Sequence, residues 1–193
     1  MKGDELFIEH YHPGLVAADV GNVVLRIYQH IVGLASDDPN RSTRVIYSPR
    51  DEVEDRLTLI SDLFGEEYGV AITSTVSNGV LQRNLLLLDC SLPVSDENEQ
   101  DLRMSIRGMQ RHLPGLAPGI LLRTIHSYHL VGFNPLTLED WQAQMAKSIL
   151  VRTVSGQPIV DVRYIGHSLE RGYGSLRIND YQDKPTPDYI CDI

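Results

Sequence analysis

Asp89 closes the apolar run Leu85-Leu86-Leu87-Leu88, so the chain sets a carboxylate where its core stops. Two other extended segments carry polar groups: Ser127 with His129, and Asp161 after Ile159-Val160. Alternation along a strand puts Ser127 and His129 on one side, with Tyr128 and Leu130 opposite. A hydroxyl beside an imidazole can hold a phosphate oxygen through two donors, given a protonated ring or the right tautomer. If the three segments are neighbours in one sheet, Asp89 and Asp161 could share a magnesium or manganese ion beside that pair. Metal-assisted phosphoryl or nucleotidyl transfer needs such a geometry, with oxygen ligands around a hard cation that neutralises polyphosphate. Arg163 and Arg177 could add fixed positive charge. Each residue also has a plainer reading: Asp89 as a helix cap or turn residue, His129 as a hydrogen-bonded structural histidine.

The elements that must position these groups follow from the apolar pattern. Four successive leucines have no face to give to water, which fits a strand buried on both sides, bounded by Asn78-Gly79 and Pro93. Upstream, Val16, Val20, Val23, Val24, Ile27, Ile31 and Leu34 recur at helical spacing. They predict an amphipathic helix from Leu15 to Leu34, stopping near Gly33 and Ser36-Asp37-Asp38-Pro39. An irregular opener with His10 and His12 precedes it, and two histidines in a polar terminus lack the further partners that metal ligation needs. Arg44–Tyr47 reads as a short strand. Ser48-Pro49-Arg50-Asp51 opens a helix whose stripe is Val53, Leu57, Ile60 and Leu63-Phe64, ending near Gly65, and Tyr68–Val76 is a strand.

After Pro93, Ser95-Asp96 starts a helix with Leu102, Ile106 and Met109 on its apolar face. Arg103, Arg107 and Arg111 fall four apart on it, either a solvated stripe or one that tracks phosphate. Gly119–Ile125 is a strand continued by extended chain from His126 to Phe133. Thr137 caps a helix carrying Trp141, Met145 and Ile149. Ile159–Ile165 reads as extended, His167–Gly174 as a loop or short helix, and Ser175–Ile178 as a strand. The tail around Lys184-Pro185-Thr186-Pro187 reads as extended and weakly ordered.

The totals narrow the function. A formal charge of −9 over 193 residues argues against a protein that coats nucleic acid, though a local basic groove stays open. Two cysteines, Cys90 and Cys191, are too few for a disulfide framework, which suggests a reducing cytoplasm. No apolar run is long enough to span a membrane, and the start lacks the apolar core of a secretory signal.

The order of Asp at a strand end, helix, Ser127-Tyr128-His129, helix, Val160-Asp161, then Ser175-Leu176-Arg177-Ile178 resembles the catalytic core of the archaeo-eukaryotic primase superfamily. The resemblance runs from about Leu81 to Ile178. It implies an α/β (α+β) fold in a single domain over residues 1–193, with a primase-like core at 81–193. That core has an RRM-like antiparallel or mixed sheet with flanking helices, and a smaller N-terminal α/β lobe occupies 1–80. It also implies that Asp89 and Asp161 hold Mg2+ or Mn2+ and act with His129 in catalysis. Ser127 and His129 would hold a nucleoside triphosphate, while Arg163 or Arg177 assists with phosphate or template, DNA or RNA.

The family pairs two acids in its first motif, whereas this chain has Asp89-Cys90-Ser91. It therefore resembles the one-aspartate, primase-like branch, associated with multi-gene prokaryotic defence or conflict systems and their partner proteins. Two cations brought together would be poorly compensated by two carboxylates. One metal suffices, another acid such as Asp180 or one from a partner completes the site, or nucleotide is bound without polymerisation. Three classes follow: a nucleotidyltransferase, a non-catalytic nucleotide or nucleic-acid-end sensor or assembly subunit, and a structural protein whose polar residues only cap and stitch.

Overall fold

A computed structural model describes residues 3–29, 42–64, 68–181 and 184–193. In chain order its elements are α1 (Gly3–Leu6), a π-helical turn (Phe7–Tyr11), α2 (His12–Ala17), β1 (Asn22–Gln29), β2 (Ser42–Pro49), α3 (Val53–Phe64), β3 (Tyr68–Ser77), β4 (Gln82–Asn84) and β5 (Leu87–Asp89). Then come α4 (Asp96–His112), β6 (Gly119–Arg123), β7 (Tyr128–Gly132), α5 (Leu138–Ser148), α6 (Val162–Arg171), β8 (Ser175–Arg177) and β9 (Asp188–Asp192). The fold is α+β, with strands in two antiparallel sheets. One runs β2-β1-β3-β4, with β8 pairing a second stretch of β3, and the other runs β5-β7-β6-β9.

The leucine run is the hinge between them. Leu85 and Leu86 carry the chain across: the Leu85 N–H donates to Ser74 of the first sheet, and the Leu86 carbonyl accepts from Gly132 of the second. Alternation then divides the four side chains. Leu85 and Leu87 join the core between the sheets with Leu25, Ile72, Leu122 and Val131. Leu86 and Leu88 face the other way, into a second core with Leu102 and Met109 of α4, Trp141 and Met145 of α5 and Ile165 of α6. All four are fully buried, each contributing roughly 1.5–3 kcal/mol through apolar transfer, because the second sheet is covered on both faces.

The helix expected over Leu15–Leu34 is corrected. The helical part ends at Ala17, Asp19 takes a left-handed conformation (φ 54°), and residues 22–29 form β1 between β2 and β3. Val23, Leu25 and Ile27 are buried at a period of two. Those valines and isoleucines satisfied both periodicities, and pairing on both edges of β1 decided for the strand. The expected helix end at Gly33–Pro39, like the one at Gly65, lies outside the described residues.

Other expectations shift as well. The opener is helical: His10 stacks on Tyr189 (3.7 Å between ring centres) and His12 meets Asp51 at 3.0 Å. Leu63 is exposed rather than part of the α3 stripe. The extended chain expected through His126 instead reverses in a turn from Thr124 to Ser127, where the Thr124 N–H donates to the Ser127 carbonyl (2.9 Å). Val162–Ile165 opens α6 because Asp161 caps it, its carboxylate accepting from the Arg163 N–H at 2.8 Å. The tail is tied down: Asp188–Asp192 pairs with β6. Among the described residues no helix is long and apolar enough to cross a membrane.

Candidate functional site

The alternation that sends Leu85 and Leu87 between the sheets sends Asp89 to the same side, at the mouth of the inter-sheet core. Asp89 stands opposite His129 across the β5–β7 pair, and His129 stands opposite Leu122 across β6–β7, one row on one face. Ser127 precedes His129 by two residues and shares that face. Its position is fixed by the turn, where its N–H donates to Thr124 Oγ1 at 2.9 Å. Ser127 Oγ donates to Asp89 Oδ1 at 3.4 Å, and His129 Nε2 lies 3.7 Å from the same oxygen.

Asp161 arrives from the other edge of β5. Ile159–Asp161 runs antiparallel beside it, with the Ser91 N–H donating to Ile159 (2.8 Å) and the Asp161 N–H to the Asp89 carbonyl (2.9 Å). The two acids are thus backbone neighbours. Tyr164, in the first turn of α6, packs partly buried there and donates its hydroxyl to the Leu87 carbonyl at 3.1 Å.

The electrostatics separate the three titratable groups. Burial, then the nearby charge of Asp161, pushes the Asp89 carboxyl up to about 6, although Ser127, Lys184 and Arg163 pull it down. Asp161 also feels burial, but hydrogen bonds from the Arg163 side chain and backbone outweigh it and hold the group below the usual carboxylate range. Burial and the charge of Arg177 press His129 down to about 3. Its ring is therefore neutral at pH 7, with one N–H and one lone pair, and Nδ1 is buried without a hydrogen-bond partner.

The arginines have local duties. Arg163, with an exposed side chain, lies 3.2 Å from Asp161 Oδ2. Arg177 Nη1 donates to the Lys184 carbonyl at 3.0 Å and to the Asn179 carbonyl, so it fastens the chain between β8 and β9. Ser91, standing where the related motif has its second acid, donates weakly to the Pro158 and Ile159 carbonyls (3.4 Å each). Asp180 is turned to Thr186, whose hydroxyl donates to it at 2.8 Å.

The donor set suits a hard divalent cation. Asp89 is a partly desolvated carboxylate beside a second one, which a cation would relieve. Magnesium characteristically takes one or two carboxylates and fills its other positions with water and substrate phosphate. Among the described residues no group of three or more His, Cys, Asp or Glu is placed to hold a metal by itself.

Sequence reasoning named Asp89, Ser127, His129 and Asp161, and the structure brings them together; Arg163 and Arg177 flank them. It missed Lys184, whose charge reaches Asp89, and Tyr164. A lone lysine in a proline-rich stretch gives no signal. Thr124, three residues before Ser127 and able to close a turn with it, does give one.

Residues 52–187 match the model of a protein family described as AEP-like, archaeo-eukaryotic primase 1D-like. No curated protein matches the chain. The match covers well over half of the sequence and supports a primase-like role connected with nucleotides or nucleic acid. Families of this kind typically use divalent metals.

Proposed function

Because the chain belongs to the archaeo-eukaryotic primase-like family, we propose that the mouth of the inter-sheet core beside Asp89 is a cleft that binds a nucleoside triphosphate with one Mg2+ or Mn2+ and serves nucleotidyl transfer. The observation that carries this is the meeting of Asp89, Ser127, His129 and Asp161 at one end of β5. Asp89 and Asp161 would hold the cation, which when bound neutralises polyphosphate charge. Ser127 and the neutral His129 are donors for phosphate oxygens. Ser127 Oγ and His129 Nε2 both face Asp89 Oδ1, so drawing that oxygen toward a cation frees two donors for the ligand. Arg163 adds exposed positive charge at the rim. Arg177 acts chiefly by fastening the segment that carries Lys184.

A second reading has its own support. Asp161 is committed to capping α6 and to Arg163, and Ser91 replaces an acid, both of which favour a sensor or assembly subunit that binds nucleotide without joining it. Extension of a labelled primer–template by the protein with manganese and nucleotides separates the two. Product that disappears in Asp89→Asn is expected of the transferase. Saturable triphosphate binding without product in any metal identifies the sensor. We extend the proposal to a role in a cytoplasmic multi-gene defence system, a reading that the one-aspartate motif supports.

A further inference from the structure

A row of basic side chains runs down α6. Arg163, His167 and Arg171 fall four apart and so share one side of the helix, starting two residues after Asp161. Arg163 pairs with Asp161, and His167 lies 3.8 Å from Glu170. Arg171 is placed differently. Its Nε donates to the His167 carbonyl at 3.0 Å, and its guanidinium carbon lies 5.3 Å from the centre of the Tyr173 ring. Arg26, from β1, lies over that same ring at 4.2 Å.

Two guanidiniums thus meet one aromatic ring, and among the described residues neither forms an ion pair, in a chain of formal charge −9. The ring's quadrupole compensates each only in part, and their mutual repulsion is unrelieved. Arg171, in the last turn of α6, also answers the helix dipole. Arg26, on a strand, has no such role. An anion is the missing partner, and guanidinium forks match phosphate oxygens.

We propose that Arg26 and Arg171, held by Tyr173, form a backbone-phosphate contact for single-stranded nucleic acid that enters the cleft along α6. Ten residues of helix span about 15 Å, roughly four nucleotides at a spacing of about 3.4 Å. One row of basic side chains suits one strand. The register adds a stacking surface: Arg26 stands opposite Val45, and Tyr47, 75% exposed, is its diagonal neighbour on the same face. The choice of polymer rests on reading the cleft as a nucleotide site, whereas the unbalanced charge does not.

The test is fluorescence anisotropy of a labelled oligodeoxynucleotide of about a dozen nucleotides, titrated with the full chain at several salt concentrations, alongside manganese–triphosphate titrations. Arg26→Gln and Arg171→Gln are each expected to weaken strand binding by about tenfold and to lower the salt slope by about 0.7. Triphosphate binding should not change, melting temperature should not fall, and Asp89→Asn should keep its strand affinity. Arg26→Lys, which retains charge, should keep most of the slope. Unchanged strand affinity and slope in both glutamine variants would overturn the proposal. So would duplex binding as tight as single-strand binding, or full competition by the triphosphate alone. Arg26-dependent strand binding without any triphosphate binding would sink the cleft reading and leave this one standing.

Discussion

Replacing Asp89 by Asn should stabilise the protein above pH 6. The folded carboxyl is raised from 3.8 to about 6, so the folded state holds its proton more tightly than the unfolded chain does. Such a group costs nothing below the unfolded value. Its cost grows as pH rises between 3.8 and about 6 and is constant above that. The full shift corresponds to about 3 kcal/mol. Because the side chain is 33% exposed, solvent screening reduces this to about 1–2 kcal/mol. Asparagine keeps the shape and can still accept from Ser127, but carries no charge to desolvate. Urea unfolding of wild type and variant at about pH 8 and about pH 4 measures the difference directly. The variant should gain about 1–2 kcal/mol at the higher pH and only a few tenths at the lower. A variant less stable at the higher pH, or an equal difference at both, would refute the placement of this carboxylate as a desolvated neighbour of Asp161.

Four further outcomes follow from the same geometry. His129 is buried with its pKa pressed to about 3, below the unfolded value, so folding stability should fall as pH drops below about 6.5. In His129→Gln the acid limb should flatten by on the order of 2–3 kcal/mol near pH 4.5, read by the same denaturant curves. Manganese affinity should weaken as pH falls through about 6, because a protonated Asp89 must lose its proton to ligate; calorimetry in two buffers of different ionisation enthalpy should show proton release. Asp161→Ala removes the α6 cap and should cost about 1 kcal/mol beyond any loss of metal, seen as a lower melting temperature in metal-free buffer. Leu87→Ala should cost roughly 2–5 kcal/mol by opening a cavity between the sheets, with Leu88→Ala costing as much in the other core.

The site was more legible than the fold. Asp89, Ser127, His129 and Asp161 could be named because strand alternation and an apolar run ending in a charge are local signals, and the site is assembled from strand ends. Alternation puts Ser127 and His129 on one side, both at Asp89 Oδ1, although the chain turns just before them. Where the reading failed, long-range pairing decided. Residues 22–29 fit a helix by spacing and became a central strand because β2 and β3 lie on both sides. Leu85 and Leu86 looked like strand and instead carry the chain between sheets, a role that only the positions of Ser74 and Gly132 define. Val162–Ile165 looked extended until Asp161 proved to be its cap. Lys184 was invisible because it is brought to the cleft by Arg177, seven residues away and bonded to its carbonyl, rather than by any pattern of its own.

In the proposed function Asp89 anchors a cation-dependent nucleotide site. Calorimetric titration of a nucleoside triphosphate into the full chain, with and without manganese, tests it most directly when Asp89→Asn is run alongside. Saturable binding that requires manganese in the wild type and is lost in the stably folded variant is the expected result. Equal binding by both proteins, or none by either, would contradict it.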